Sequence, residues 1–261
     1  MSSNAPTAEE LAGTALHLVG RLDPSETLTA ARYVAMAHAA TAAIPADRPL
    51  VLTAGTGMYL KAFLENLDLG GMGAVPELRE TLEAEAARDL PGLARRLAEL
   101  SPGLAAATDL RNPARVVRRM ELLAAAAFAE DARDARDTAP GGAIEALKVG
   151  LAVPTDLLEM RLADRIDRML TLGWAAEVRA LLENEPAPCA QVLNSIGVAE
   201  MSEHLAGEID EATLRRRVLV RTRQYAKRQR TWFRGDPGVT WLDVGNRSPS
   251  DIVETILGMM N

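Results

Sequence analysis

The chain has 261 residues, 29 Lys and Arg against 36 Asp and Glu for a formal net charge of −7, 48% hydrophobic residues, 3% aromatic residues and 1 cysteine. That length allows one large domain or two modest ones with a real core, the alanine-rich and charge-interspersed composition reads as helix-rich, and the lone Cys189 excludes a disulfide framework or a multi-cysteine zinc site. The start, MSSNAPTAEE, has neither the basic nor the apolar segment of a secretory signal and no apolar run approaches bilayer length, so a soluble, cytoplasmic protein with no membrane partner is expected.

In chain order, residues 1–15 read as polar and loose, and DPSETLTAARYVAMAHAATAAI as a helix capped from Asp23 or Ser25 and ended by Pro45. Leu50–Thr53 then reads as a short strand running into the turn Gly55-Thr56-Gly57 and a further helix, the kind of strand–turn–helix unit where α/β proteins place ligands. Residues 76–139 read as nearly continuous helix punctuated by Pro91-Gly92, Pro102-Gly103 and Asn112-Pro113, with Pro140-Gly141-Gly142 closing it. LKVGLAV, residues 147–153, reads as a buried strand. Pro154-Thr155-Asp156 opens a long amphipathic helix interrupted by Gly173, VTWLDV at 239–244 reads as a last short strand, and 249–259 as a last helix. The resulting division is 1–75 as part of an α/β core with the glycine turn, 76–142 as a helical subdomain, and 143–261 as the return to the core.

The charge is unevenly placed. Arg215, Arg216, Arg217, Arg221, Arg223, Lys227, Arg228, Arg230 and Arg234 follow one another with no acid between them in an otherwise acidic chain. On a helix, Arg216, Arg223, Lys227, Arg230 and Arg234 share a face. Two accounts compete. Either the face is solvated and neutralised by acids elsewhere in the fold, or it binds a polyanion. The interleaved Gln224, Tyr225, Gln229, Trp232 and Phe233, and a second basic helix start at Arg111–Arg119, favour the polyanion; charge alone does not separate RNA from DNA or diphosphate.

Several motifs together resemble the tRNA dimethylallyltransferase (tRNA isopentenyltransferase) family. The family's TRQYAKRQ-x-TWFR resembles Thr222–Arg234, its GGTGLYLKALLEGL resembles Ala54–Leu67, its PELR is Pro76–Arg79, and its NDPQRIVRALEV resembles Asn112–Leu122. The long-helix pattern fits Arg161–Leu181, and Trp-Leu-Asp is Trp241–Asp243. The family's opening phosphate loop and Asp-Ser-x-Gln motif find no counterpart, and no G-x-x-x-x-G-K-[ST] occurs in the 261 residues. The resemblance therefore implies a chain that begins where the family's second quarter would. It implies a helix-rich, incomplete P-loop NTPase-like α/β core with few parallel strands (50–54, 147–153 and 239–243) and a helical insertion. The implied protein is a monomer whose sheet edges lie exposed where the phosphate-loop strand would pair.

The implied reaction joins a dimethylallyl group from dimethylallyl diphosphate to N6 of the adenine next to the tRNA anticodon (position 37). Such a site must neutralise the diphosphate, align the amine with the allylic carbon and unstack the adenine. By resemblance, Thr56 and Arg165 serve catalysis alongside Mg²⁺; their plainer roles are a structural turn and a surface ion pair. The general base belongs to the Asp-Ser-x-Gln motif and is assigned to no residue here. By the same resemblance, Arg79, Arg115, Arg118, Asn194, Arg223, Gln224, Lys227, Arg228 and Gln229 face the tRNA anticodon stem-loop. Departures from the family fall at Ala54, Ala114, Val198 and Ala199. Three functions stay open: a tRNA prenyltransferase whose shortened chain is impaired, a non-catalytic RNA-binding remnant, and a prenyltransferase acting on free adenine nucleotides.

Overall fold

Among the described residues hydrogen-bonded strands form where two apolar runs pair, and helices fill most of the rest. The computed structural model describes residues 6, 8–11, 13–45, 48–67, 76–129 and 143–260. Two compact units emerge, one made of residues 1–65 and 143–261, the other of residues 66–142.

In the first unit, α1 (Ala8–Leu11) is a single turn and α2 (Ala30–Ala42) follows. Its cap is Thr29, whose hydroxyl accepts the Arg32 N–H at 3.2 Å, not Asp23 or Ser25 as expected. The reason is tertiary. Leu28 N–H donates to Gln191 Oε1 at 2.9 Å, the Leu28 carbonyl accepts Gln191 Nε2 at 3.2 Å, and Cys189 N–H donates to the Pro24 carbonyl at 2.9 Å. These bonds hold 24–28 out of the helix, and Asp23 instead accepts the Ser25 N–H at 2.9 Å. Next is α3 (Gly57–Leu64), which packs Phe63 and Leu64 against Ala37 of α2.

Residues 50–54 do not form the expected strand. Among the described residues no neighbouring strand pairs with them, and Val51 is 81% exposed. Apolar content alone does not satisfy a strand's backbone N–H and C=O groups.

Three helices joined by short turns make up most of the described second unit: α4 (Pro76–Leu100), α5 (Pro102–Ala106) and α6 (Pro113–Ala129). Pro91 breaks α4 as expected, but the non-helical residue is Asp89 (φ −149°), whose carboxylate then caps the renewed helix by accepting the Gly92 N–H at 2.9 Å. Leu82, Leu93, Leu97, Val116, Val117 and Met120 form the core. The expected closure at Pro140-Gly141-Gly142, and helix beyond 129, lie outside the described residues.

Back in the first unit, β1 (Lys148–Ala152) is followed by α7 (Thr155–Thr171), α8 (Trp174–Leu182), α9 (Ala190–Leu193), α10 (Val198–Leu205) and α11 (Glu211–Arg234), then β2 (Val239–Asp243) and α12 (Pro249–Met260). Strands β1 and β2 are parallel, in register from Lys148↔Val239 to Ala152↔Asp243. A parallel pair needs a long crossover, and α7 to α11 supply it. Gly150 faces Trp241, and a Cβ there would stand 2.8 Å from the indole. Gly173, at φ +89°, separates α7 from α8 where the sequence places the interruption. Ile166 and Met169 of α7, Trp174 and Val178 of α8, Val198 and Met201 of α10, and Leu214 and Val218 of α11 make the main core. Burying one such side chain stabilises by about 1.5–3 kcal/mol, so this cluster fixes the basic helix against α7 and α10. Among the described residues no helix is long and apolar enough to cross a membrane.

Candidate functional site

The acids expected to neutralise the basic helix are present along one half of α11 and are fewer along the other. Towards its N-terminus Arg215, Arg217 and Arg221 are neutralised, while Arg216 donates to the Thr213 hydroxyl at 3.1 Å. Arg215 pairs with Asp167 and, at 2.9 Å, with Glu211; Arg217 grips Glu203 with two nitrogens at 2.5 and 2.9 Å; Arg221 reaches Glu200 at 2.6 Å. From Arg223 onward the balance changes. Arg223 meets Glu159 at 3.0 Å and Arg228 lies 5.9 Å over the Tyr225 ring, whereas Lys227, Arg230 and Arg234 have no acidic partner among the described residues. Most of the helix's positive charge without an acidic partner among the described residues thus lies in its last three turns.

Those turns border a cleft of about 310 Å³ between α11 and the first turns of α7, lined by Thr155, Leu158, Glu159, Val220, Arg223, Gln224, Ala226, Lys227 and Arg230. Three cations and one amide converge from α11. The amino terminus of α7 lies opposite, capped by Pro154 with no side-chain bond to its free N–H groups. Cations and a helix N-terminus across a half-open cleft favour an anion.

The glycine turn lies on the adjoining face of the same helix. Gln229 Nε2 donates to the Gly55 carbonyl at 2.9 Å, and a Cβ on Gly55 would stand 2.8 Å from the Tyr225 hydroxyl. Gly57 is closer still, since its Cβ would fall 2.1 Å from Cδ1 of Trp232. The two glycines are therefore there to let α3 begin against α11. Thr56, between them, caps α3 through its backbone but makes no side-chain cap bond, so its exposed hydroxyl remains open to a ligand.

The other residues singled out in the sequence fall as follows. Arg165 sits on the exposed side of α7. Gln224 lines the cleft with Arg223 and Lys227. Asn194 is exposed at the end of α9; its amide folds onto the Ala190 carbonyl at 2.8 Å and its own carbonyl accepts Arg221 at 3.0 Å. In the second unit, Arg79 and Arg118 meet around Glu121, at 3.5 and 3.3 Å, while Arg115 is exposed. Sequence reasoning missed the two acids that organise these arginines. Glu200 is fully buried and Glu121 is 4% exposed, and they are the buried charged residues of the described structure. The available signal was an acid set inside an apolar helical stripe, Val198 and Met201 around Glu200, Val117 and Met120 around Glu121.

Asp236 fixes the end of the helix. Its carboxylate accepts Lys148 Nζ at 2.8 Å and the Gly238 N–H at 2.9 Å, and the Lys148 bond, then the Gly238 bond, hold its pKa below the ordinary value. Asp210 does the same at the other end, capping α11 through the Thr213 N–H at 2.8 Å, and the Thr213 side chain, then its N–H, hold the Asp210 pKa below the ordinary value. Among the described residues no three His, Cys, Asp or Glu side chains converge.

A cationic helix clamped onto a glycine turn, beside a small parallel sheet, defines the class: the chain belongs to the IPP transferase family, whose model matches residues 1–236. Among individual relatives it is similar to the tRNA dimethylallyltransferase of Anaeromyxobacter dehalogenans, 39% identical across 91% of this chain and 79% of that protein. It is also similar to tRNA dimethylallyltransferase 1 of Trichlorobacter lovleyi, 36% identical across 93% of this chain and 80% of that protein. The crystal structure of the full-length tRNA isopentenylpyrophosphate transferase of Bacillus halodurans superposes with a TM-score of 0.67 at 29% identity, covering 98% of this chain and 80% of that one.

Proposed function

We propose that this chain serves the transfer of the dimethylallyl group of dimethylallyl diphosphate to N6 of the adenine next to the anticodon of a tRNA. The observation that carries the reading is the unpaired cationic end of α11, with Lys227 and Arg230 in a cleft and Gln229 on the turn that bears Thr56. The names of the relatives support the same reading.

In that reaction the amine lone pair of N6 forms a bond to C1 of the dimethylallyl group as the C1–O bond breaks. The electron pair leaves on the diphosphate, and the N6 proton passes to a base that none of the described residues is assigned to be. In this proposal Thr56 donates its hydroxyl to the diphosphate and Arg165 adds charge against the leaving group. Arg223, Lys227 and Arg230 take phosphates of the anticodon stem, with Asn194 and Gln224 toward bases and sugars. Arg79, Arg115 and Arg118 of the second unit bind backbone phosphates. In this proposal magnesium would add positive charge against the leaving diphosphate.

We infer further that the 261 residues by themselves hold RNA better than they turn it over, because no phosphate-loop motif among them cradles the leaving diphosphate. The test incubates the purified chain with Mg²⁺, dimethylallyl diphosphate and unmodified tRNA, then seeks prenylated adenosine by mass spectrometry with RNA retention scored in parallel. Retention with little product is the expected result. Abundant product overturns the inference of weak turnover, and product on free adenine nucleotides without tRNA retention overturns the tRNA reading.

A further inference from the structure

Glu200 is completely buried, yet it is ionisable and faces a cation. Its two oxygens have separate duties. Oε2 accepts the Gly197 N–H at 2.8 Å and Oε1 accepts Arg221 Nη1 at 2.6 Å. Arg221 in turn sends Nη2 to the carbonyl of Asn194 at 3.0 Å. The turn between α9 and α10 is thus held at both ends, at Gly197 directly and at Asn194 through the arginine. Gly197, at φ +96°, has the Trp174 ring packed against it, which leaves the turn no room to shift that way.

Stability alone does not account for this arrangement. Desolvating a carboxylate is expensive, and well-packed apolar replacements of buried ion pairs are often neutral or stabilising. What the apolar replacement could not do is fix the turn against one particular turn of α11. Arg221 stands three residues before Gln224, its neighbour on the helix surface, so its grip holds exposed Asn194 beside the turn of α11 where the cleft begins.

We propose that Glu200 is a positioning residue for RNA recognition: acting through Arg221, it joins the Asn194 turn to α11 so that Asn194 and the cations from Arg223 onward meet one RNA strand together. The proposal rests on the tRNA reading above for its ligand, but the mechanical link it asserts does not.

The test uses the full chain as wild type, Glu200→Gln, Asn194→Ala and the double variant. Glutamine keeps the shape and an acceptor for Gly197 but releases the charge on Arg221. Two quantities are read: hydrogen exchange of segments 190–197 and 218–226 in the free protein, and affinity for an unmodified anticodon stem-loop RNA at fixed salt. In Glu200→Gln, exchange rises in both segments together and affinity falls about tenfold, the scale of a lost charge-assisted hydrogen bond. Asn194→Ala weakens binding in the wild-type background and has no further effect in Glu200→Gln, the non-additivity of two groups acting as one. A merely structural role predicts effects that multiply, and that result overturns the proposal, as does exchange confined to 190–197. If the wild type retains no stem-loop RNA, the tRNA reading fails on its own, and the claim for RNA falls with it while paired exchange still establishes the link. Should Glu200→Gln not fold, Arg221→Lys, which keeps a cation but cannot span both partners, is expected to show the same pattern.

Discussion

At the scale of single residues, one acid works against the site. Glu159 neutralises Arg223 inside the cleft at 3.0 Å, and both are more than a third exposed. Such a pair contributes little to stability, about 0–1 kcal/mol, but it competes with any phosphate. Glu159→Gln is therefore expected to tighten stem-loop binding by up to about fivefold, the binding equivalent of that energy. It should also steepen the dependence of log affinity on log salt by roughly one contact. Lys227→Ala should do the reverse, lowering affinity and making the salt slope shallower by about one. Filter binding over a salt series reads both, and a Glu159→Gln protein that binds more weakly counts against phosphate contact in this cleft. In the second unit, Glu121→Met is expected to leave the melting temperature unchanged or raised, because an apolar side chain suits the surrounding Val117 and Met120, while lowering RNA affinity by freeing Arg79 and Arg118 from a common anchor.

At the scale of elements, α11 is pinned by a carboxylate at each end, and both carboxylates have lowered pKa values. A depressed folded pKa means stability that is full above the ordinary value of 3.8 and lost as pH falls through the folded value. The helix ends should hold unchanged from neutral pH to about 4 and loosen below it. Asp236→Asn removes that dependence at the β1 end, so its melting temperature should fall less steeply than the wild type's between pH 4 and pH 2. Parallel curves would count against Asp236 as an acid-sensitive tie. The sequence made most elements legible for a reason the same helix illustrates: its charge run is local. What stayed illegible depended on distant partners. Thr29 rather than Asp23 begins α2 because Gln191 holds Leu28, and 50–54 is no strand because pairing, not apolar content, makes one. The cleft was half legible, since the shared cationic face could be counted, but not which cations Asp167, Glu200 and Glu203 remove.

At the scale of the molecule, the two units have separate cores, and all three tryptophans, Trp174, Trp232 and Trp241, belong to the first. Tryptophan emission therefore reports one unit, and far-ultraviolet circular dichroism reports both. Leu97→Ala, at a fully buried position of the second unit, should destabilise that unit by about 2–5 kcal/mol. The expected result is a circular-dichroism transition that moves to lower temperature ahead of the tryptophan transition. If the two probes shift together, the units melt as one cooperative block.

The close approach of Trp232 to Gly57 recurs at the other two indoles, with Trp241 over Gly150 and Trp174 over Gly197. In each couple the largest side chain stands where the smallest leaves room, so the glycine is not free to change alone. Alanine at 57 requires the indole at 232 to shift or to be replaced by a smaller side chain. Sequence drift in this protein is thereby tied in pairs at the start of α3, in the sheet and at the turn before α10, and a library randomising residues 57 and 232 together should yield folded chains in which their volumes vary inversely.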